Sequence, residues 1–317
     1  MSKPVLVTGG AGFIGSHLVD ALVRRGGRVR VVDNLSAGKL GNLKPVSGKI
    51  EFIRGDIRDL GLMRRAVRGV GVIYHQAALR SVPKSVDRPM EYHEVNATAT
   101  LQMLRLAQEA GVRRVVYASS SSVYGDKTPL PQKETMLPAP QSPYAASKLA
   151  QEVYAGMFAK LYGLETVGLR YFNVFGPRQS LENRYAVVVP KFITSLLSGE
   201  RPPIHGDGKQ TRDFTYVENV VRANLKAAAA PRVSGEVFNI SGGCRHSVLD
   251  LARRLNKLLG TRVQPKFLLP RPGDVRHTLA DIGKARRLIG YRVVVPFEEG
   301  LMRTARWFQL HGPELFA

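Results

Sequence analysis

Short apolar runs alternate with amphipathic stretches through the first 170 residues. Pro4-Val5-Leu6-Val7 reads as a buried strand. Ser16 to Arg25 carries apolar residues at 18, 19, 22 and 23, the spacing of one helix face. Arg28 to Val32 is a second strand, ending at Asp33, and Ile50 to Arg54 a third. Gly55 to Asp59 opens the next helix. Val70–His75, Arg114–Ala118 and Leu164–Arg170 read as further strands. Between them lie a long helix over Pro89–Gly111, with Asn96 inside it, and another from Tyr144 to about Tyr162. Residues 126–143, rich in Pro and polar side chains, read as a surface loop. Strands alternating with helices predict an α/β fold, a Rossmann-type doubly wound parallel sheet. Ligands of such a sheet bind at the carboxyl ends of its strands.

Beyond residue 175 the pattern loosens. Val187 to Leu197 and 218–229 read as helices, and 203–208 as turns. Val237–Ile240 reads as a strand, Val248–Leu259 as an amphipathic helix and Phe297–Phe308 as a closing helix. This predicts a smaller α/β substrate-binding domain interleaved with returns to the large sheet.

Composition places the chain among globular proteins: 44% hydrophobic and 23% charged over 317 residues. No apolar run reaches the roughly 20 residues of a membrane helix. Met1 to Val5 leads straight into an apolar strand, and Cys244 is the single cysteine. No internal disulfide or cysteine metal site is available, and the expectation is a cytoplasmic protein. The seven histidines form no ligand cluster, so no metal is expected. Lys and Arg number 47 against 25 Asp and Glu, a formal charge of +22. The basic residues are scattered, in pairs such as Arg24-Arg25 and Arg286-Arg287. No dedicated nucleic-acid or membrane partner is expected, although the field would draw in an anionic substrate.

The first turn changes the picture. Thr8-Gly9-Gly10-Ala11-Gly12-Phe13-Ile14-Gly15 joins the first strand to the first helix. Gly9, Gly12 and Gly15 allow a tight turn, close approach of a pyrophosphate and packing of helix on strand. The phosphates then sit at the helix N-terminus. Asp33 is placed for the adenosine ribose hydroxyls, and its charge would repel a 2′-phosphate, which favours NAD over NADP. Residues 1–175 are therefore the expected NAD-binding domain, with a return around 214–241; 176–317 is mainly the substrate domain.

Ser142-Pro143-Tyr144-Ala145-Ala146-Ser147-Lys148 sets a phenol and an ammonium four residues apart, on one face of a helix. A Lys beside a Tyr favours the phenolate, so the Tyr144 pKa is expected to fall from its usual value of about 10. Such a phenolate accepts protons near neutral pH.

Taken with Asp33-Asn34-Leu35, Gly55-Asp56-Ile57, Ser120 ahead of Val123-Tyr124-Gly125, and Arg170-Tyr171-Phe172-Asn173, these motifs resemble those of an extended short-chain dehydrogenase/reductase. The type is the nucleotide-sugar epimerase, like the UDP-hexose 4-epimerases, and the resemblance spans nearly the whole chain. It implies Tyr144 as acid and base toward a sugar hydroxyl, Lys148 on the nicotinamide ribose, and Ser120 on the same sugar oxygen. It implies that NAD is held by Gly9, Gly12, Phe13, Ile14, Gly15, Asp33, Asn34, Asp56, Ile57, Gln76, Ala77, Ala78, Tyr144, Lys148 and Tyr171. For a UDP-sugar it implies Lys84, Ser120, Ser121, Tyr144, Asn173, Val188, Arg212, Arg271, Asp274 and Thr278. Arg212 and Arg271 stand for the arginines on the diphosphate, and Asp274 for the carboxylate on the uridine ribose. Thr278 stands where the sugar pocket is walled, and its small size implies that a 2-acetamido sugar is accepted.

Dehydratases of this kind place an Asp-Glu pair just after the Ser/Thr, and decarboxylases a Glu; residues 121 and 122 here are both Ser. The reading is a UDP-hexose or UDP-N-acetylhexosamine 4-epimerase that works through a 4-keto sugar. Left open are a UDP-glucuronate 4-epimerase, a net oxidoreductase on a related nucleotide sugar, and a cofactor-binding protein without turnover. A homodimer through the helices around 90–110 and 144–162 is implied by the resemblance.

Overall fold

Seven parallel strands build the central sheet of the computed structural model, which describes residues 3–126, 128–180, 188–270 and 275–316. They are β1 (Val5–Thr8), β2 (Val29–Asp33), β3 (Ile50–Arg54), β4 (Val72–His75), β5 (Arg114–Ser120), β6 (Glu165–Tyr171) and Glu236–Ile240. Across the sheet the order is Glu236–Ile240, β6, β5, β4, β1, β2, β3. The order reverses between β1 and β4, which leaves a crevice at their carboxyl ends where a doubly wound sheet binds ligand.

Successive residues on a strand face opposite sides. Both sides are buried at the inner strands, so β1, β4 and β5 are largely apolar, while the edge strand β3 (IEFIR) is only partly covered. Val7, Val31 and Val116 pack with Leu18 and Phe238 on one face. Leu6, Ile73 and Val115 pack with Met103 and Phe158 on the other. The helices of the first half are α1 (Phe13–Arg24), α2 (Leu60–Val67), α3 (Val82–Asp87), α4 (Pro89–Tyr92), α5 (Ala99–Glu109) and α6 (Pro143–Leu161). A third apolar cluster, built on Phe175, Phe214, Tyr216, Phe297 and Phe308, holds the second half together. There the Phe214 and Phe297 rings stack at 5.5 Å.

Four elements differ from the pattern reading. The helix expected to open at Gly55 starts at Leu60, because Asp59, not Asp56, caps it: Asp59 Oδ1 accepts from Leu62 N at 2.9 Å. Asp56 instead accepts from Arg58 N two residues on, a local turn that competes with helix. The helix over 89–111 ends at Glu109 and widens into a π turn at His93–Thr98. Asn96 in that turn clamps the segment after β4, accepting from Leu79 N at 2.8 Å and donating to Leu79 O at 2.9 Å. Part of the expected turn at 203–208 is a strand, Pro203–His205, which pairs in parallel with Lys266–Leu268. The closing helix runs on to Phe316. No described helix is long and apolar enough to cross a membrane.

Candidate active site

A cleft of about 550 Å³ opens along the carboxyl ends of β1 to β5. The glycine turn forms its floor. Gly9 has φ +67°, and a Cβ there would lie 2.7 Å from Ala77 N. A Cβ on Gly15 would lie 2.1 Å from Gly9 O. Both contacts are with backbone, which cannot swing aside, so only glycine fits. The start of α1 therefore lies hard against the turn. Its cap residue, Gly12, offers no side chain to the first N–H groups, and no acidic residue stands in the first turn. An uncapped, acid-free helix start facing a cleft suits a pyrophosphate. The dinucleotide expected from sequence fits these residues.

Asp33, at the end of β2, is 7% exposed. Its Oδ2 accepts from Ala11 N at 2.9 Å and its Oδ1 from Leu35 N at 2.8 Å. Burial pushes its pKa up despite these bonds. A carboxylate has about four acceptor positions, so Asp33 keeps capacity for a ribose hydroxyl. Asp56 accepts from Asn34 Nδ2 at 3.0 Å and from both arms of Arg58, which hold its pKa down at about 2. Phe13, Ile14, Ile57, Gln76, Ala77, Ala78, Lys84 and Tyr171 also line the cleft. Gln76 donates to the Tyr171 hydroxyl at 3.2 Å, while Asn224 donates to that hydroxyl at 2.8 Å.

The inner end of the cleft holds Tyr144 and Lys148, both on α6. Ser142 caps this helix, accepting from Ala145 N at 3.1 Å, and Pro143 takes the first position with its φ already helical. Tyr144 is thus one residue from a fixed helix start. Lys148 is 3% exposed. Its Nζ donates to Ala118 O at 2.7 Å and to Gln151 Oε1 at 3.2 Å. Burial lowers its pKa to about 7, against an opposing pull from Glu152.

The expected fall in the Tyr144 pKa does not occur: burial raises it. Lys148 gives two of its three donors to β5 and its own helix and none to the phenol. The groups that oppose the rise are the hydroxyl of Ser120 and the charge of Arg80. The Tyr92 ring stands edge-on to Tyr144 at 6.5 Å and helps keep water out.

The substrate-side residues gather less completely. Asn173 follows β6 with φ 31° and donates to Asp213 O at 3.2 Å and to Thr278 Oγ1 at 3.1 Å. Thr278, 8% exposed, also accepts from Asp213 N at 3.1 Å. Its hydroxyl is thus committed to holding Asn173 and the strand Thr211–Asp213. Arg212 donates to Thr211 O and Arg276 O. Val188 opens the helix Val188–Leu197. Ser121 follows Ser120 in a short 3-10 turn. Arg271 and Asp274 lie outside the described residues.

Several contributors escaped the sequence reading. Arg80 lines the cleft and faces Tyr144; one Arg among many carries no sequence signal. Glu152, one turn past Lys148, takes two bonds from Arg170, at 2.9 and 2.7 Å, and one from Ser119. Arg170 in turn stacks over the Tyr124 ring at 4.6 Å. The spacing Tyr144, Lys148, Glu152 was the available signal. Asn96 donates to Ser147 Oγ at 3.1 Å, tying the π turn to the helix of Tyr144. Asp213, 0% exposed, accepts from Gly242 N at 3.1 Å and Ala280 N at 3.0 Å, and burial raises its pKa to about 6.

Comparison with known proteins agrees with this geometry. The chain is similar to the UDP-glucose 4-epimerase of Mycolicibacterium smegmatis, 40% identical over 96% of this chain and 98% of that one. It superposes on the UDP-N-acetylglucosamine 4-epimerase of Methanobrevibacter ruminantium, solved with UDP-N-acetylmuramic acid, with a TM-score of 0.93. That pair is 40% identical, covering 98% of this chain and 99% of the other. It is also 35% identical to a UDP-N-acetyl-alpha-D-glucosaminuronate decarboxylase of Bacillus cytotoxicus, over 98% of both chains. Residues 5–241 match the NAD dependent epimerase/dehydratase family. With its parallel sheet, its glycine-floored cleft and full-length relatives of this kind, the chain belongs to that family.

Proposed function

We propose that this enzyme inverts C4 of a UDP-hexose or UDP-N-acetylhexosamine. One observation carries the reading: Tyr144 and Lys148 line a cleft floored by the glycine turn, Ser120 ends the strand beside them, and no carboxylate stands at 121 or 122. A dehydratase or decarboxylase needs an acid or base beyond the tyrosine, and the serine pair offers neither at that place.

NAD, held by the glycine turn, Asp33, Tyr171 and Lys148, supplies when bound a two-electron oxidant and a positive charge beside Tyr144. The protein's own groups manage the protons. Tyr144 removes the proton of the sugar 4-hydroxyl and later returns it to the same oxygen. Ser120 donates to that oxygen while it is a carbonyl or alkoxide. Arg80 favours the Tyr144 phenolate. The 4-keto sugar turns within the pocket between the two proton transfers. Asn173 and Arg212, with Arg271 and Asp274, hold the UDP moiety, since forked guanidinium groups suit a diphosphate.

Thr278 supports acceptance of the N-acetyl sugar through its small size. Val153, Met157 and Leu161 stand exposed at 53%, 45% and 66% on α6. They are spaced four residues apart, so they form one stripe that suits a homodimer of paired α6 helices.

Purified protein is incubated, without added cofactor, with UDP-glucose, UDP-N-acetylglucosamine and UDP-glucuronate in turn, and the products are resolved. Formation of the 4-epimer from either of the first two supports the reading. Epimerisation of the glucuronate alone, or net build-up of reduced cofactor, replaces it.

A further inference from the structure

The helix Val217–Ala229 turns one face inward, where Val217, Val220, Val221 and Ala228 are buried. Val220, Val221 and Ala228 share an apolar cluster with Val116 and Val167 of the sheet. Helical spacing puts residue 224 on that same face. It is an asparagine, and it is fully buried. Asparagine is a poor helix former, and a buried amide is costly unless its polar atoms are bonded.

Here they are bonded. Asn224 Nδ2 donates to Val220 O at 2.8 Å and to the Tyr171 hydroxyl at 2.8 Å. Its Oδ1 accepts from Gln76 Nε2 at 3.1 Å. A backbone carbonyl can only accept, so Val220 O fixes which end of the amide is nitrogen. The oxygen then faces Gln76, and this in turn points the Gln76 nitrogen at Asn224.

Gln76 and Tyr171 line the cleft, whereas Asn224 does not reach it. Gln76 follows β4 and Tyr171 ends β6. In the sheet β5 lies between these two strands, so no strand pairing sets one residue against the other. Apart from their own contact at 3.2 Å, the bond joining both among the described residues is that of Asn224. Burial pushes the Tyr171 phenol up to about 12, so it stays neutral and acts as a hydrogen-bonding group.

We propose that Asn224 is a positioning residue for the cofactor: from behind the cleft it holds the Gln76 amide and the Tyr171 hydroxyl in one orientation, and the tightness with which NAD is kept depends on it. The inference rests on the cleft holding NAD and not on which sugar is turned over. It gives a polar residue on an apolar helix face a task beyond fastening that helix to the sheet.

The test uses Asn224→Leu in the full chain, a side chain of similar size with no polar group. The protein is purified with its NAD, and the exchange of bound NAD for isotopically labelled NAD is timed. Exchange is expected to run roughly three- to tenfold faster than in the parent, the scale of one hydrogen bond. Turnover should fall through kcat, with KM for the UDP-sugar nearly unchanged. A purely structural role predicts a lower melting temperature with parent-like exchange and kcat, and that result overturns the proposal. The same replacement is then made in a protein already carrying Gln76→Ala and Tyr171→Phe. With both partners gone, Asn224→Leu should alter exchange by less than about twofold. A full effect there would mean that Asn224 acts by another route, and also overturns the proposal. If Asn224→Leu does not fold, Asn224→Asp carries both measurements with the same expectations. It keeps the size but cannot donate to Val220 O and Tyr171 together. The exchange assay contains no sugar. Failure of the 4-epimerase reading therefore leaves its result standing, and parent-like exchange sinks the role of Asn224 even in an active 4-epimerase.

Discussion

The two sides of this site are built differently. On the cofactor side, most of the contributing groups follow directly on strands of one sheet, with Tyr144 and Lys148 on α6 beside them. The glycine turn follows β1, Asp33 ends β2, Gln76 follows β4 and Ser120 ends β5. Sheet register places them, and backbone contacts as tight as that between Gly15 and Gly9 fix them. On the substrate side, the groups come from segments around 173, 212, 241 and 278. These are tied by side-chain bonds over long sequence separations, Asn173 to Thr278 and Asp213 to Gly242 and to Ala280, beside strand pairings only two or three residues long. The first arrangement is stiff because each strand is paired along its length. The second depends on a few side chains, with Asp213 at the centre. A packed, paired frame suits a cofactor that stays in one place. A bond-tied lobe suits a sugar that must turn between the two proton transfers.

The sharpest way to break the comparison is Gly15→Ala. The added methyl meets a backbone carbonyl, so the turn must shift. Loss of bound NAD and destabilisation by several kcal/mol are expected, the upper range for point changes. Cofactor content after purification and the melting temperature report both, and normal values for each would show that the turn yields. Tyr144→Phe comes next: roughly 10²-fold or more is lost from turnover, the contribution of a positioned acid–base group. NAD content and UDP-sugar affinity should stay near normal, because the frame is untouched.

Asp213→Asn probes the substrate lobe. Two backbone N–H groups point at the carboxylate, and the amide can accept at only one oxygen. About 1 to 3 kcal/mol should be lost at neutral pH, with KM for the UDP-sugar raised and NAD content kept. The pH dependence has a definite sign. The folded carboxyl titrates near 6, above its ordinary value, so between about 4 and 6 the folded protein holds a proton that the unfolded chain has released. This group's contribution to stability is therefore largest at low pH and is lost as the pH rises through that window. Denaturant titrations at pH 4, 5 and 6 should show a slope in the parent that flattens in Asp213→Asn; equal slopes refute the assignment.

Thr278→Val has the smallest effect, about 1 kcal/mol, from one hydroxyl that serves Asn173 and Asp213 N. A modest rise in KM with unchanged kcat is expected. Thr278→Tyr is then read against it. Selective loss of the N-acetyl sugar beyond the valine effect marks a pocket wall, whereas equal loss of both sugars marks only the broken bonds.

How much was legible follows the same division. The alternation of short apolar runs with 3.6-residue periodicity encodes a parallel sheet buried on both faces. Glycines that tolerate no Cβ declare the turn. Tyr144 and Lys148 declare themselves by spacing and by Ser142-Pro143, which sets the helix start. These signals are local, so the chain alone determined the fold class and pointed to the cofactor cleft and to the catalytic pair proposed above. What tertiary structure decided is electrostatic and long-range. The sign of the Tyr144 shift was misjudged from sequence, because a neighbouring Lys is visible there while burial is not. Lys148 turned out to be bonded to Ala118 O, Glu152 to Arg170 and Ser119, and Thr278 to Asn173. No periodicity encodes a bond between residues 105 positions apart. Likewise, four serines in a row offer no hint that the hydroxyls of Ser120 and Ser122 bond each other. That follows from the 3-10 turn, which folds residue 122 back onto the oxygen of Ser120.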